Sequence, residues 1–109
     1  MEKRIGKIER ISFGFGGYQD AQIGLSVTLS GDGWGVGDFW GEWAIDRSEH
    51  CKWTEHDRIT GLGETTMRVR DLLRDAKKKT VDQLRGIPVE VTFDGLALKN
   101  WRILKEAIL

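Results

Sequence analysis

The stretch from residue 13 to residue 43 most constrains what this chain can fold into. It places nine glycines and seven aromatics in 31 residues, on a two-residue beat rather than a helical one. Gly31, Gly33, Gly35 and Gly37 alternate with Asp32, Trp34 and Val36, so one face of that strand is nearly free of side chains while the other carries large rings. A row this bare predicts close packing against it, either by another part of the chain or by a partner.

The neighbouring segments complete a three-stranded meander. Residues 3–15 have strand character, with Ile11, Phe13 and Phe15 on one face and Ile5 and Ile8 out of phase, which predicts a bulge. Gly16-Gly17 turns the chain. Ala21, Ile23, Leu25, Val27 and Leu29 then alternate with Gln22, Gly24, Ser26, Thr28 and Ser30, the pattern of a half-buried strand with Leu25 and Val27 at its centre. Ser30-Gly31-Asp32-Gly33 supplies the next turn, and residues 34–44 the third strand, on which Trp34, Val36 and Trp40 face away from Phe39 and Trp43.

At Thr54 the period changes. Thr54 with Asp57 three positions on has the form of a capping box, which satisfies free backbone amides at a helix start. Ile59, Leu62, Thr66, Val69, Leu73 and Ala76 follow three-and-four spacing and predict one buried stripe ending near Lys79. Gly61 and Gly63 weaken the first turns by roughly 1 kcal/mol each, which moves the expected start of ordered helix toward Glu64. Residues 80–83 predict a further single turn before Gly86. Val89, Val91 and Phe93 form a strand, Asp94-Gly95 is a hairpin signal, and residues 96–109 return as the last strand. The fold class is therefore α+β, in the order β-β-β-α-β-β with one main helix. That order fits an OB-like five-stranded barrel, and equally an open antiparallel sheet with a helix across one face.

A chain of 109 residues, 39% hydrophobic, forms a single domain over residues 1–109. Seventeen basic residues balance seventeen acidic ones, which argues against a protein that tracks a phosphate backbone through a large positive field. The lone Cys51 excludes an internal disulfide and a cysteine-rich zinc site, and fits a reducing, cytoplasmic setting. No window approaches the ~20 apolar residues of a membrane helix, so no membrane role is expected.

Chemistry-bearing residues are few. Glu49, His50, Cys51, Glu55, His56 and Asp57 lie close in sequence, but the spacing of His50 and His56 does not put two imidazoles on one helical face, and one thiol cannot build the usual structural sites. No metal and no cofactor is expected. The glycine-rich loops lie between strands and lack the helix start and lysine of a phosphate cradle. No acid, base and nucleophile set can be named, so the chain reads as a non-enzyme. Five tryptophans exceed what a core this small readily hides, and exposed rings serve both single-stranded nucleic acid and protein interfaces.

The segments KIERISFGFGGYQDAQIGLSVTLSGDGWGV, SEHCKWTEHDR and GIPVEVTFDG followed by LKNWRIL resemble a group of short bacteriophage and prophage proteins of unknown function, over nearly the whole chain. The resemblance implies a mobile-element origin and a role in binding, and it carries over no catalytic residue. Two functions follow. In the first, the chain acts on a host or phage protein complex, including host defence, through an aromatic surface. In the second, it binds single-stranded nucleic acid during replication or recombination, with Lys3, Arg4, Arg70 and Arg74 meeting phosphates and Trp34, Trp40 or Tyr18 stacking on bases. Exposed strand edges and surplus aromatics also allow a homodimer.

Overall fold

Fifteen residues long, β1 (Glu2–Gly16) is the spine of the fold in a computed structural model that describes residues 1–108. It is followed by β2 (Gln22–Gly31), β3 (Trp34–Trp43), α1 (Glu55–Ala76), β4 (Pro88–Asp94) and β5 (Ala97–Ile103), with single 3₁₀ turns at Tyr18–Asp20, Val81–Leu84 and Lys105–Ala107. Leu109, which the sequence places at the end of the last strand, lies outside the described residues. The strands form one antiparallel sheet in the order β3-β2-β1-β4-β5. β1 serves two neighbours in turn: Glu2 to Lys7 pair with β4, and Lys7 to Gly16 pair with β2.

The bulge falls at Glu9, between the pairs Ile8↔Leu29 and Arg10↔Thr28. It lets Ile8 and Ile11, three residues apart, point to the same side, since directly paired residues share a face. Ile5 stays on the other side and is exposed. The inner face so formed carries Ile8, Leu25, Val27, Leu29, Val89 and Val91, all buried, and closes against Leu72 and Ala76 of α1 and Leu84 of the second 3₁₀ turn. Leu25 and Val27 therefore lie in the core as their alternation predicts.

The capping box is present. Thr54 Oγ1 accepts the Asp57 N–H at 3.1 Å, and Asp57 Oδ2 accepts the Thr54 N–H at 2.8 Å. It starts the helix at Glu55 rather than near Glu64, because satisfying two orphan amides offsets the cost of the two glycines. The buried stripe is turned from the expected one: Ile59 and Thr66 are exposed, Gly61 and Thr65 face inward, and Leu72 rather than Leu73 is buried, with Ala76 common to both. Gly61 lies where the Glu42 carboxylate of β3 crosses the helix, and a side chain there would collide with it. Thr65 is accommodated because its hydroxyl donates to the Gly61 carbonyl at 2.9 Å. The helix ends at Ala76, with Lys77 left-handed as its C-cap.

Of the two architectures that the element order allows, the chain adopts the open sheet. The sheet does not close into a barrel: among the described residues no backbone ladder joins β3 to β5. The gap between these strands is spanned by side chains and overlain by α1. Among the described residues the bare row is packed at Gly31, against the Trp34 ring, and lies open farther along β3. Gly35 and Gly37 are exposed on the outer face, and only backbone oxygens at 3.8 and 3.7 Å lie near where their Cβ atoms would be.

Candidate binding surfaces

Trp34 begins β3 directly after the Asp32-Gly33 turn, where Gly33 takes a φ of 78°. Its cross-strand partner is Gly31, and its indole lies flat over the bare backbone of Gly31 and Gly6, where a Cβ at either glycine would strike the ring. Phe93 meets it edge-on with centroids 5.4 Å apart. Trp34 is thus half-buried, with one edge left open on a cleft of about 320 Å³. Arg4, Val36, Phe93 and Leu96 line the same cleft. Arg4 Nε donates to Glu2 at 2.9 Å on the rim, and Leu96, at the tip of the β4–β5 turn, is fully exposed.

Trp40 is packed on both faces. It stacks on Trp101 with centroids 5.0 Å apart and planes 19° apart, and the Arg68 guanidinium of α1 sits 3.9 Å over its ring. Both indole N–H groups, of Trp40 and Trp101, donate to Oδ2 of Asp38 at 2.9 Å. A third pair, Trp43 and Trp53, stacks at 6.5 Å where residues 44–54 fold back, and the Arg58 guanidinium covers Trp53 at 4.5 Å. Four of the five tryptophans are therefore engaged by another indole, and the fifth by Phe93.

The exposed rings are elsewhere. Phe13 is 51% exposed, Phe15 74% and Tyr18 68%, all at the far end of the β1–β2 hairpin. Leu25, paired with Phe13 and flanked by Trp40 on β3, is buried, while Ile23, paired with Phe15, is half-buried. The single helix leans on β3 through Gly61 and Arg68, and the Val81–Leu84 turn reaches β1 only beside Ile8, where the Gly86 N–H donates to the Ile8 carbonyl at 2.7 Å. Nothing among the described residues covers the inner face of β1 beyond Ile11. Phe13 and Phe15 share a face with Ile11, as their spacing predicts; the absence of any Lys or Arg from residue 11 to residue 46 is the signal that marks this lobe as distinct.

The basic residues do not converge. Lys3 and Arg4, adjacent on a strand, point to opposite faces. Lys3 lies 3.9 Å from Glu90 on the outer face, and Arg4 pairs with Glu2. Arg70 pairs with Asp71 at 2.8 Å on the exposed side of α1, and Arg74 is exposed one turn further on. Of the residues expected to bind, the structure brings Arg4 and Trp34 to one cleft, leaves Tyr18 alone at the opposite end, and sets Trp40 inside a stack.

Around Cys51, the Ser48 N–H and hydroxyl approach Sγ at 3.5 and 3.7 Å and hold the thiol below its ordinary range. His50 and His56 are exposed nearby, and among the described residues no three His, Cys, Asp or Glu side chains come together as a metal site. Among the same residues no helix is long and apolar enough to cross a membrane. Comparison with known proteins finds no matching family model, no related curated protein and no similar solved structure.

Proposed function

We propose that this chain is a non-enzymatic binding protein that engages a protein partner through the cleft at Trp34. The observation that carries the reading is the cleft itself: an aromatic floor of Trp34 and Phe93, an exposed apolar lip at Leu96, and an Arg4–Glu2 pair on the rim. Its volume and mixed lining suit an apolar anchor side chain of a partner, held by a polar rim. In the phage setting that the resemblance implies, the partner belongs to a host or phage complex.

Nucleic acid is a poorer fit. Both faces of Trp40 are taken, Trp34 lies flat on backbone, and residues 11–46 include five acidic residues and no Lys or Arg to meet phosphates.

The test compares the parent chain with Leu96→Glu, a change at a fully exposed position that leaves the fold intact. Immobilised parent should retain a specific protein from host-cell extract that the variant does not. Single-stranded oligonucleotides at low salt should leave tryptophan emission unchanged. Quenching by oligonucleotides with an affinity that falls as salt rises would instead establish the nucleic-acid function.

A further inference from the structure

We infer that the free edge of β1 at residues 10–16 is a homodimer interface, pairing antiparallel with the same edge of a second copy about a twofold axis at Phe13. The inference goes beyond the Trp34 cleft, which lies at the other end of the molecule and stays open in such a dimer.

The edge is available. β4 pairs with β1 only as far as Lys7, and Ile8 is the last residue tied on that side, through its N–H to the Ile87 carbonyl at 3.0 Å and its carbonyl to Gly86. From Arg10 onward, among the described residues, that side of the strand has no backbone partner. Sheet edges are usually blunted by charge, proline or a covering element, and residues 11–17 contain no charge and no proline.

The segment is also self-complementary. Antiparallel pairing about Phe13 sets Phe13 against Phe13, Ile11 against Phe15, and Ser12 against Gly14. Directly paired residues share a face, so every large apolar side chain of one copy meets another, while on the outer face Ser12 meets Gly14 and Arg10 meets Gly16. The charges fit the same axis. Asp20 lies in the 3₁₀ turn that follows Gly16 at one end of the segment, and Arg10 and Arg85 line one cleft at the other. The twofold places the acidic end of each copy beside the basic end of its mate, which is the isologous pattern of a closed dimer.

The area agrees with a reversible association. The three rings leave on the order of 400 Å² exposed per copy, to which the backbone edge and half-buried Ile11 and Ile23 add. That reaches the lower range of specific interfaces. Pairing joins the two β3-β2-β1 units into one continuous sheet.

The experiment is sedimentation of the full chain from low micromolar to millimolar concentration, with hydrogen exchange read at residues 12–16. The expected result is a species of twice the 12.4 kDa chain mass whose formation slows exchange at those amides. Phe13→Asp with Phe15→Asp should raise the dimer dissociation constant by about tenfold or more without lowering the melting temperature, since both rings are exposed. Asp20→Lys should weaken the dimer, and adding Arg85→Glu should restore it. A single-chain mass at every concentration overturns the inference. So does a dimer that survives the double Phe variant, or one that the paired charge reversal fails to restore.

Discussion

Trp101 donates its indole N–H to Oδ2 of Asp38 across 2.9 Å and thereby ties β5 to β3, the two strands at opposite ends of the sheet order. Trp40 donates to the same oxygen, and the Phe39 N–H donates to Oδ1, also at 2.9 Å. One half-buried carboxylate thus satisfies three N–H donors, with the charge-assisted strength such bonds have. The seam that backbone pairing leaves open is held by this carboxylate, the two stacked indoles and Arg68 above them.

Asp38→Ala should therefore cost about 3 kcal/mol, because each orphaned donor carries a penalty of about 1–3 kcal/mol and two indoles lose their acceptor together. Chemical denaturation followed by tryptophan fluorescence gives the number, and Asp38→Asn should recover part of it. A loss below about 0.5 kcal/mol would show that ring stacking alone holds the seam.

Gly31 and Gly35 are two strand glycines with opposite roles. Gly31→Ala drives a methyl into the Trp34 ring and should cost about 1–3 kcal/mol, the usual range for overpacking. Gly35→Ala points into solvent and should change stability by less than about 0.5 kcal/mol. Equal effects in thermal melts would mean that Trp34 does not rest on Gly31.

How much of this was legible in the sequence depended on how local each cause is. The two-residue alternation from Ala21 to Ser30 fixed Leu25 and Val27 inward, and the phase break between Ile8 and Ile11 announced the bulge, since both follow from strand geometry alone. The capping box was legible for the same reason. The facing of α1 departs from its apolar spacing because Glu42 of β3, 19 residues before Gly61, crosses the helix there. Open edges in place of a barrel, and Phe13 and Phe15 left uncovered, depend on where one helix lies across five strands. Periodicity carries no information about that placement. What holds Trp40 in place, the meeting of Asp38 with Trp101 63 positions on, is likewise set by the tertiary fold.

The helix facing gives a direct contrast. Leu72 is buried against the sheet, so Leu72→Ala should cost about 2–5 kcal/mol through lost burial and the cavity left behind. Ile59, 67% exposed, belongs to the expected stripe but not to the observed one, and Ile59→Ala should fall within about 0.5 kcal/mol of the parent. Melting curves of the two variants that coincide would restore the stripe read from spacing.

Acid should loosen the chain through two carboxylates that the fold holds ionised. The Thr54 N–H and hydroxyl keep Asp57 below its ordinary value of 3.8, and the Arg102 guanidinium takes Glu106 from 4.5 to about 2. For a carboxylate whose folded pKa lies below its unfolded one, the stabilisation is complete above the unfolded value and disappears as pH falls through the folded one. Melting temperature should accordingly be flat from neutral pH down to about 5, then fall progressively toward pH 2. Thr54→Ala should lower stability at neutral pH by about 1 kcal/mol, the usual worth of an N-cap, and should make the acid limb only slightly shallower, because the hydroxyl is lost while the backbone N–H of residue 54, the larger cause of the lowered Asp57 pKa, is kept. Glu106→Gln should flatten the limb as well, by removing the other titrating group. An acid limb equally steep in the parent and in a chain carrying both changes would place the acid-sensitive groups elsewhere in the fold.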